Sequence, residues 1–312
     1  MQSSFDTPVL FLIFNRPALT KVVLNRLAEI KPSHLYVAAD GARKHVDTDK
    51  DLCSKTRALI EAINWECEVK LLYRDENLGC GLAVSSAITW FFENEEQGII
   101  LEDDCLPSLS FFSFCQKMLQ HYKNDNRIWH IAGYNSQDGI KRGNGDYFFS
   151  QETSIWGWAS WRRTWKHYNL KLSGLPELEK SRTKYNLKKD RLHSLTAMFD
   201  FWKVYNGKIN TWDYQYAFYQ LVNSGLSVVP NYNLVENIGF DSAATHTTRK
   251  SSSIAKNIAQ DVDFSNIKHP TYVVADADAD AYSYNKRTRV LKKIFVWGQG
   301  KLKRLFFSRL IS

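Results

Sequence analysis

The chain lacks any obvious membrane-crossing run near its start. The apolar stretch from Pro8 to Phe14 falls far short of the roughly 20 residues a spanning helix needs. No basic segment followed by an apolar stretch precedes it, so the sequence reads as a protein made and kept in the cytoplasm. Cysteine is scarce and odd in number: Cys53, Cys67, Cys80, Cys105 and Cys115. An odd number cannot all pair and their spacing fits no metal site, so they read as reduced thiols. There is no internal repeat, and "FNRPALT" stands where a glycine-rich phosphate loop would follow the first strand. Acid is missing from one end. From Asn285 to Ser312 there are nine Lys and Arg and no Asp or Glu; removing those nine from the 41 basic residues leaves 32 against 33 acids. The +8 net charge therefore belongs to the tail, and a nucleic-acid partner is excluded for the near-neutral body.

What is present is aromatic. Phe, Trp and Tyr make up 14% of the chain, with 10 Trp, implying either a Trp-rich core or surfaces that stack on flat rings and sugar faces. Short apolar runs alternate with helical patterns through the first hundred residues, as in βαβ units around a parallel sheet. "PVLFLIFNRP", "HLYVAADGAR", "CEVKLLYRDENLG" and "GIILEDD" read as four strands, with helices over Ala18 to Ile30, Leu52 to Asn64 and Ala83 to Asn94. Further helices are expected over Leu109 to Tyr122, Leu192 to Tyr205 and from Asp213 to Gly225, and strands in "IWHIAGYN" and "LSVVPNYN". The charged stretch Lys166 to Arg191 reads as an irregular insertion, and "ADADADAY" as a low-complexity linker. Ligands of open α/β sheets bind beyond the carboxyl ends of the strands. Asn15, Arg16, Asp40, Arg74, Asn77 and the acidic triplet are thus expected at one crevice.

The triplet is the sharpest feature. Glu102, Asp103 and Asp104 directly follow Ile99, Ile100 and Leu101. Strand alternation sends Glu102 and Asp104 to one side and Asp103 to the other. Three neighbouring carboxylates repel unless donors or a cation compensate. Mg²⁺ or Mn²⁺ suits such oxygens and leaves coordination sites for phosphates; the alternative is a solvated acidic turn before Pro107.

The stretch from "GIILEDDCLP" to "IWHIAGYN", with "IWGWASW" and "NTWDYQ" beyond it, resembles the N-acetylglucosaminyltransferase I family of nucleotide-sugar glycosyltransferases, over roughly Pro8 to His246. The triplet is similar to the DxD-type motif of the GT-A fold. The resemblance implies an α/β, Rossmann-like GT-A architecture: a mixed, mainly parallel sheet flanked by helices, followed by a basic amphipathic tail. It divides the chain into a 1–270 transferase domain (1–106 nucleotide-binding half, 107–270 acceptor half) and 271–312, linker and tail. It implies Asp104 as the direct metal ligand, with Glu102 and Asp103 orienting the diphosphate-sugar. Arg16 and Asp40 would contact the nucleotide, Asp40 at the base, and Arg74 and Asn77 would line the nucleotide-sugar side. Asp213 falls at the catalytic base, and His246, in a Ser/Thr-rich loop read as a lid, at the metal. Trp156, Gly157, Trp158 and Trp212 would form an acceptor or sugar platform. For Asp40 and Asp213 the competing reading is a helix N-cap, for the tryptophans it is the core, and for His246 an exposed loop position.

The activity implied is metal-dependent transfer of a hexose or N-acetylhexosamine from a UDP-sugar to a saccharide hydroxyl. A single base and no enzymic nucleophile favour inversion, with retention left open. Animal members carry an amino-terminal anchor and work in an oxidising lumen. This sequence departs from them in both respects, which points to a bacterial-type enzyme of surface polysaccharide synthesis using a lipid-linked acceptor. The rivals are a sugar nucleotidyltransferase and a catalytically silent carbohydrate-binding relative. The tail reads either as a helix packed on the body or as a peripheral anchor on the inner face of an anionic membrane. Vesicle sedimentation decides between the two: for an anchor, the full chain should pellet with anionic liposomes and a chain ending before Asn285 should not.

Overall fold

The computed structural model describes residues 5–188, 191–239 and 258–288. His246 and the Ser/Thr-rich loop expected as a lid lie outside the described residues, as does most of the basic tail.

The chain alternates strands and helices at first: β1 (Val9–Ile13), α1 (Pro17–Ile30), β2 (His34–Ala39), α2 (Asp49–Ala58), β3 (Glu68–Tyr73), α3 (Gly79–Asn94) and β4 (Gln97–Glu102). It continues through β5 (Cys105–Pro107), α4 (Leu109–His121), β6 (Ile128–Ala132), β7 (Tyr147–Ser150), β8 (Trp158–Trp161) and the single turn α5 (Arg162–Trp165). Then follow α6 (Leu175–Lys180), α7 (Arg191–Tyr205), α8 (Asp213–Val222), β9 (Leu226–Pro230), β10 (Val235–Asn237) and α9 (Ala277–Thr288). Eight strands form one sheet in the order β3-β2-β1-β4-β8-β6-β9-β7, and β10 pairs with β5 in a separate two-stranded ribbon. β3, β2, β1 and β4 are mutually parallel; β8 runs antiparallel between β4 and β6, and β7 antiparallel on β9. The architecture is the expected α/β one, a mixed and mainly parallel sheet flanked by helices.

Central position explains the composition of β1. A parallel strand covered on both faces is apolar throughout, and all five of its residues are buried. Val9, Phe11 and Ile13 face the layer that holds α1 and α4, whereas Leu10 and Leu12 face α3. The edge strand β3 is polar by contrast, with Glu68 and Lys70 on it, as an unpaired edge requires. The α4 helix starts where Ser108 accepts a hydrogen bond from the Phe111 amide at 3.3 Å, an N-cap, and buries Phe111, Phe112, Phe114, Cys115, Met118 and Leu119.

Two segments differ from their reading in the sequence. The expected insertion contains α6, and its Leu172, Leu175 and Leu187 share a core cluster with Phe201 of α7 and Phe218 of α8; the many charged residues between them concealed that apolar set. The expected linker "ADADADAY" is largely α9. Asp276 caps it, accepting from the amides of Asp278 and Ala279, and Asp280 turns inward to Ser150 and the Gln151 amide. Composition alone hid two different jobs for the same residue type.

His130 of β6 is fully buried, stacks on Trp158 at 5.1 Å, and has its Nε2 2.9 Å from the Ser154 carbonyl. Burial pushes its pKa down to about 3, because the charged form would be stranded from water. The unfolded ring titrates near 6.5, so the stability contributed by the neutral ring is complete above that pH. It is lost as the pH falls toward 3, by up to about 1.4 kcal/mol per pH unit. Urea melts between pH 7 and 4 should show this slope in the native chain and a flatter one in His130→Gln.

Candidate functional site

β1 is the point at which the strand order reverses. The chain runs from β1 outward to β2 and β3, then returns to place β4 on the other side of β1. In open α/β sheets such a switch point opens a crevice at the carboxyl ends of the two diverging strands. Here Arg16 follows β1, and the acidic triplet closes β4. Arg16 Nη1 donates to Asp104 Oδ2 at 3.0 Å, and its Nη2 donates to Asp103 Oδ1. Its fork spans both carboxylates, so the side-to-side alternation expected of the triplet stops at Glu102. β4 ends there and the chain turns through Asp103 and Asp104, which brings both acids to one guanidinium.

The electrostatics follow from burial. Asp103 is 2% exposed, and its carboxyl is pushed up to about 6 by desolvation, with Arg16 opposing. Glu102 is held well above the usual carboxylate range by burial first, then by Asp104 and Asp103. Burial alone would lower the Arg16 value, yet Asp103 and Asp104 hold it above the ordinary one. Two oxygens, Glu102 Oε1 and Asp103 Oδ2, are buried with no hydrogen-bond partner, an arrangement that costs free energy unless a donor or cation completes it. Asp104 is the more open of the two acids on Arg16, at 14% side-chain exposure against 3% for Asp103. Among the described residues no group of three or more His, Cys, Asp or Glu is arranged to hold a metal ion. The orphaned carboxylate oxygens nevertheless have the donor chemistry of a hard divalent ion whose remaining ligands come from a phosphate.

Asp213 opens α8 and accepts a hydrogen bond from the Thr211 hydroxyl. It lies close enough to Glu102 to help raise that acid, and Glu102, Asp213 and Asp40 together add to the burial that pushes the Cys80 thiol up to about 12. Cys80, in the first turn of α3, thus lies within the field of all three acids. The preceding loop closes over the same turn, with Asn210 Oδ1 accepting from the Gly81 amide at 3.2 Å. Cys80, Asn210 and Thr211 are additions to the sequence reading. A hydroxyl two residues before a helix-opening aspartate was the available signal for Thr211; nothing local marked the others.

Asp40, Asn77 and Arg74 brace the neighbouring strand ends. The Asp40 carboxylate accepts from the amides of Gly41, Leu78 and Gly79 and from Asn77 Nδ2, so it caps α3 across the sheet edge. Asn77 also donates to the Gly41 carbonyl at 2.9 Å, and Arg74 donates to Ser86 of α3 at 2.7 Å. Asp40 in particular meets a nucleotide base only by giving up donors it already has.

The tryptophans part company. Trp158 and Trp212 are 0% and 1% exposed and stack on each other at 5.7 Å, beside Trp165 and Tyr216. Both rings are enclosed in the layer over α3, so neither presents a face to a sugar, contrary to the expected platform. Gly157, with φ of +62°, lies so close to Val235 that a Cβ would fall 2.7 Å from its Cγ2; tight packing is what its lack of a side chain serves. Trp156 is half-buried against Tyr134 at 4.5 Å. At the other side of the crevice Gly239 is pressed on Asp104, where a Cβ would fall 2.4 Å from Oδ2. Trp158→Ala should therefore cost about 3–5 kcal/mol in urea unfolding, while the folded variant keeps the ligand affinity of the native chain in calorimetry.

No protein-family model matches the chain, and no curated protein does. Solved structures give partial overlaps. HddC from Yersinia pseudotuberculosis has 12% identity and a TM-score of 0.31, over 52% of this chain and 80% of that one. The 4-diphosphocytidyl-2C-methyl-D-erythritol synthase of Anaerococcus prevotii has 12% identity and a TM-score of 0.32, over 63% and 83%. A UDP-glucose pyrophosphorylase solved with UDP-glucose has 10% identity and a TM-score of 0.38, over 72% and 90%. At these values the overlaps bear on neither the reaction nor the roles of individual residues.

Proposed function

We propose that the chain is a nucleotide-sugar enzyme and that it transfers a hexose or N-acetylhexosamine from a UDP-sugar to a saccharide hydroxyl. One observation carries the reading: at the β1/β4 switch point a guanidinium faces buried carboxylates with unpartnered oxygens, a constellation that a diphosphate and a divalent cation would complete together. Asp104, with phosphate oxygens, would hold Mn²⁺ or Mg²⁺, which supplies Lewis-acid neutralisation of the departing diphosphate. Arg16 binds the diphosphate as a planar fork. Glu102 and Asp103 orient the sugar from the floor of the crevice.

Asp213 is the base. Thr211 fixes one of its oxygens, leaving the other for the acceptor hydroxyl. As the acceptor's hydroxyl oxygen attacks the anomeric carbon, its proton passes to Asp213, the bond from that carbon to the diphosphate breaks, and the anomeric configuration inverts; a positioned base contributes about 10²–10⁴ in rate. A lipid-linked acceptor would suit a basic tail resting on an anionic membrane.

A second reading, nucleotidyl transfer, is favoured by Arg16 too. A guanidinium at the exit of the first strand suits a pyrophosphate leaving a nucleoside triphosphate as a sugar 1-phosphate attacks. Against it, the β1–α1 connection holds no glycine to cradle a triphosphate.

Calorimetry with Mn²⁺ separates these. Glycosyl transfer requires metal-dependent UDP binding that Asp104→Ala abolishes, and Asp213→Asn should cut turnover by about 10²-fold or more with UDP affinity intact. Uptake of triphosphates together with sugar 1-phosphates, and release of pyrophosphate, would establish the second reading. Ligand binding with no turnover would mark a carbohydrate-binding relative.

A further inference from the structure

Of the two Asp104 oxygens, Oδ2 already accepts from Arg16 Nη1 at 3.0 Å, and Oδ1 has the Cys105 thiol at 3.5 Å. Gly239 leaves no room for a side chain beside the same carboxylate. An incoming dication therefore meets the positive charge of the guanidinium, which repels it. The other end of the fork engages Asp103, whose second oxygen is buried and unpartnered. The Arg16 side chain is 23% exposed, so it borders solvent at the crevice, while Pro17 at the first turn of α1 holds its backbone. Carboxylate and phosphate offer a guanidinium the same planar pair of acceptors.

We propose that Arg16 is a place-holding counter-charge. On diphosphate binding its guanidinium passes from Asp103 and Asp104 to phosphate oxygens, and only then is Asp104 free to hold the divalent ion. The inference rests on the nucleotide-sugar reading above and adds an order of events to it. Removing Arg16 from Asp103 without a replacement strands a buried carboxylate, a costly state. Arrival of the cation relieves that cost, so diphosphate and metal tighten each other reciprocally.

The test is Mn²⁺ binding to the full chain, read by electron paramagnetic resonance with and without UDP and corrected for Mn²⁺ held by free UDP. The native chain should bind Mn²⁺ weakly alone and about tenfold or more tightly with saturating UDP. Arg16→Gln should bind it more tightly than the native chain without UDP, and UDP should raise the affinity by a smaller factor than in the native chain, the part that the phosphate ligands alone supply. Arg16→Lys keeps one charge but cannot span both acids, and should fall between; it decides the matter if Arg16→Gln does not fold. Equal Mn²⁺ affinity of the native chain with and without bound UDP overturns the proposal, as does an Arg16 variant that binds Mn²⁺ no more tightly than the native chain. Failure of the nucleotide-sugar reading looks different: the native chain takes up no UDP at all, and the Mn²⁺ affinities of the Arg16 variants then decide the place-holder alone.

Discussion

One guanidinium between two carboxylates sets the character of this protein. Arg16 leaves β1 as Asp103 and Asp104 leave β4, so the ion pairs join the two strands at the place where the strand order turns back on itself. Without Arg16 the triplet would be three acids crowded at the end of a buried strand. With it the cluster is balanced only in part, since two carboxylate oxygens have no donor. A pair whose partner is removed in the interior loses roughly 3–5 kcal/mol, so each charge is kept in place by the others.

The frame around the pair is stiff where stiffness serves it. The alternate faces of β1 enter different apolar layers, which fixes the level at which Arg16 emerges. Asp40, spent on the amides that open α3, ties the ends of β2 and β3 to that helix, and Arg57 reinforces the tie by donating to the carbonyls of Asp40 and Arg74. The layer beneath α8 is aromatic: Trp158, Trp165, Trp212 and Tyr216 fill it and hold the loop that carries Thr211 and Asp213. Large rigid rings fix a loop end with little loss of side-chain freedom, and three of the ten tryptophans serve there.

Native folds tend to keep unsatisfied polar groups where a ligand will use them and to compensate with packing elsewhere. The acid cluster obeys that rule on one side of the sheet, and His130, Nδ1 unpaired in an aromatic enclosure, carries a comparable cost in the core. The difference lies in access. Arg16 reaches solvent at the crevice and His130 does not, so only the first can exchange its partner for a ligand.

The α/β alternation, the order of the first four strands as chain segments, and the placing of Arg16 and the acids at strand ends could all be read from the amino acids. Such features rest on local periodicity and on where an apolar run stops. The antiparallel β8 wedged between β4 and β6, the helix within "ADADADAY", and the burial of Trp158 and Trp212 could not, because each depends on partners far away in the chain. A tryptophan beside a glycine looks the same in sequence whether it meets a sugar or another tryptophan. Only the assembled sheet decides which, since apolar faces take whatever cover the topology brings them. The same holds for charge: the sequence supplied three acids and an arginine 87 residues before the second of them, and tertiary packing made them one electrostatic unit by bringing β1 and β4 side by side.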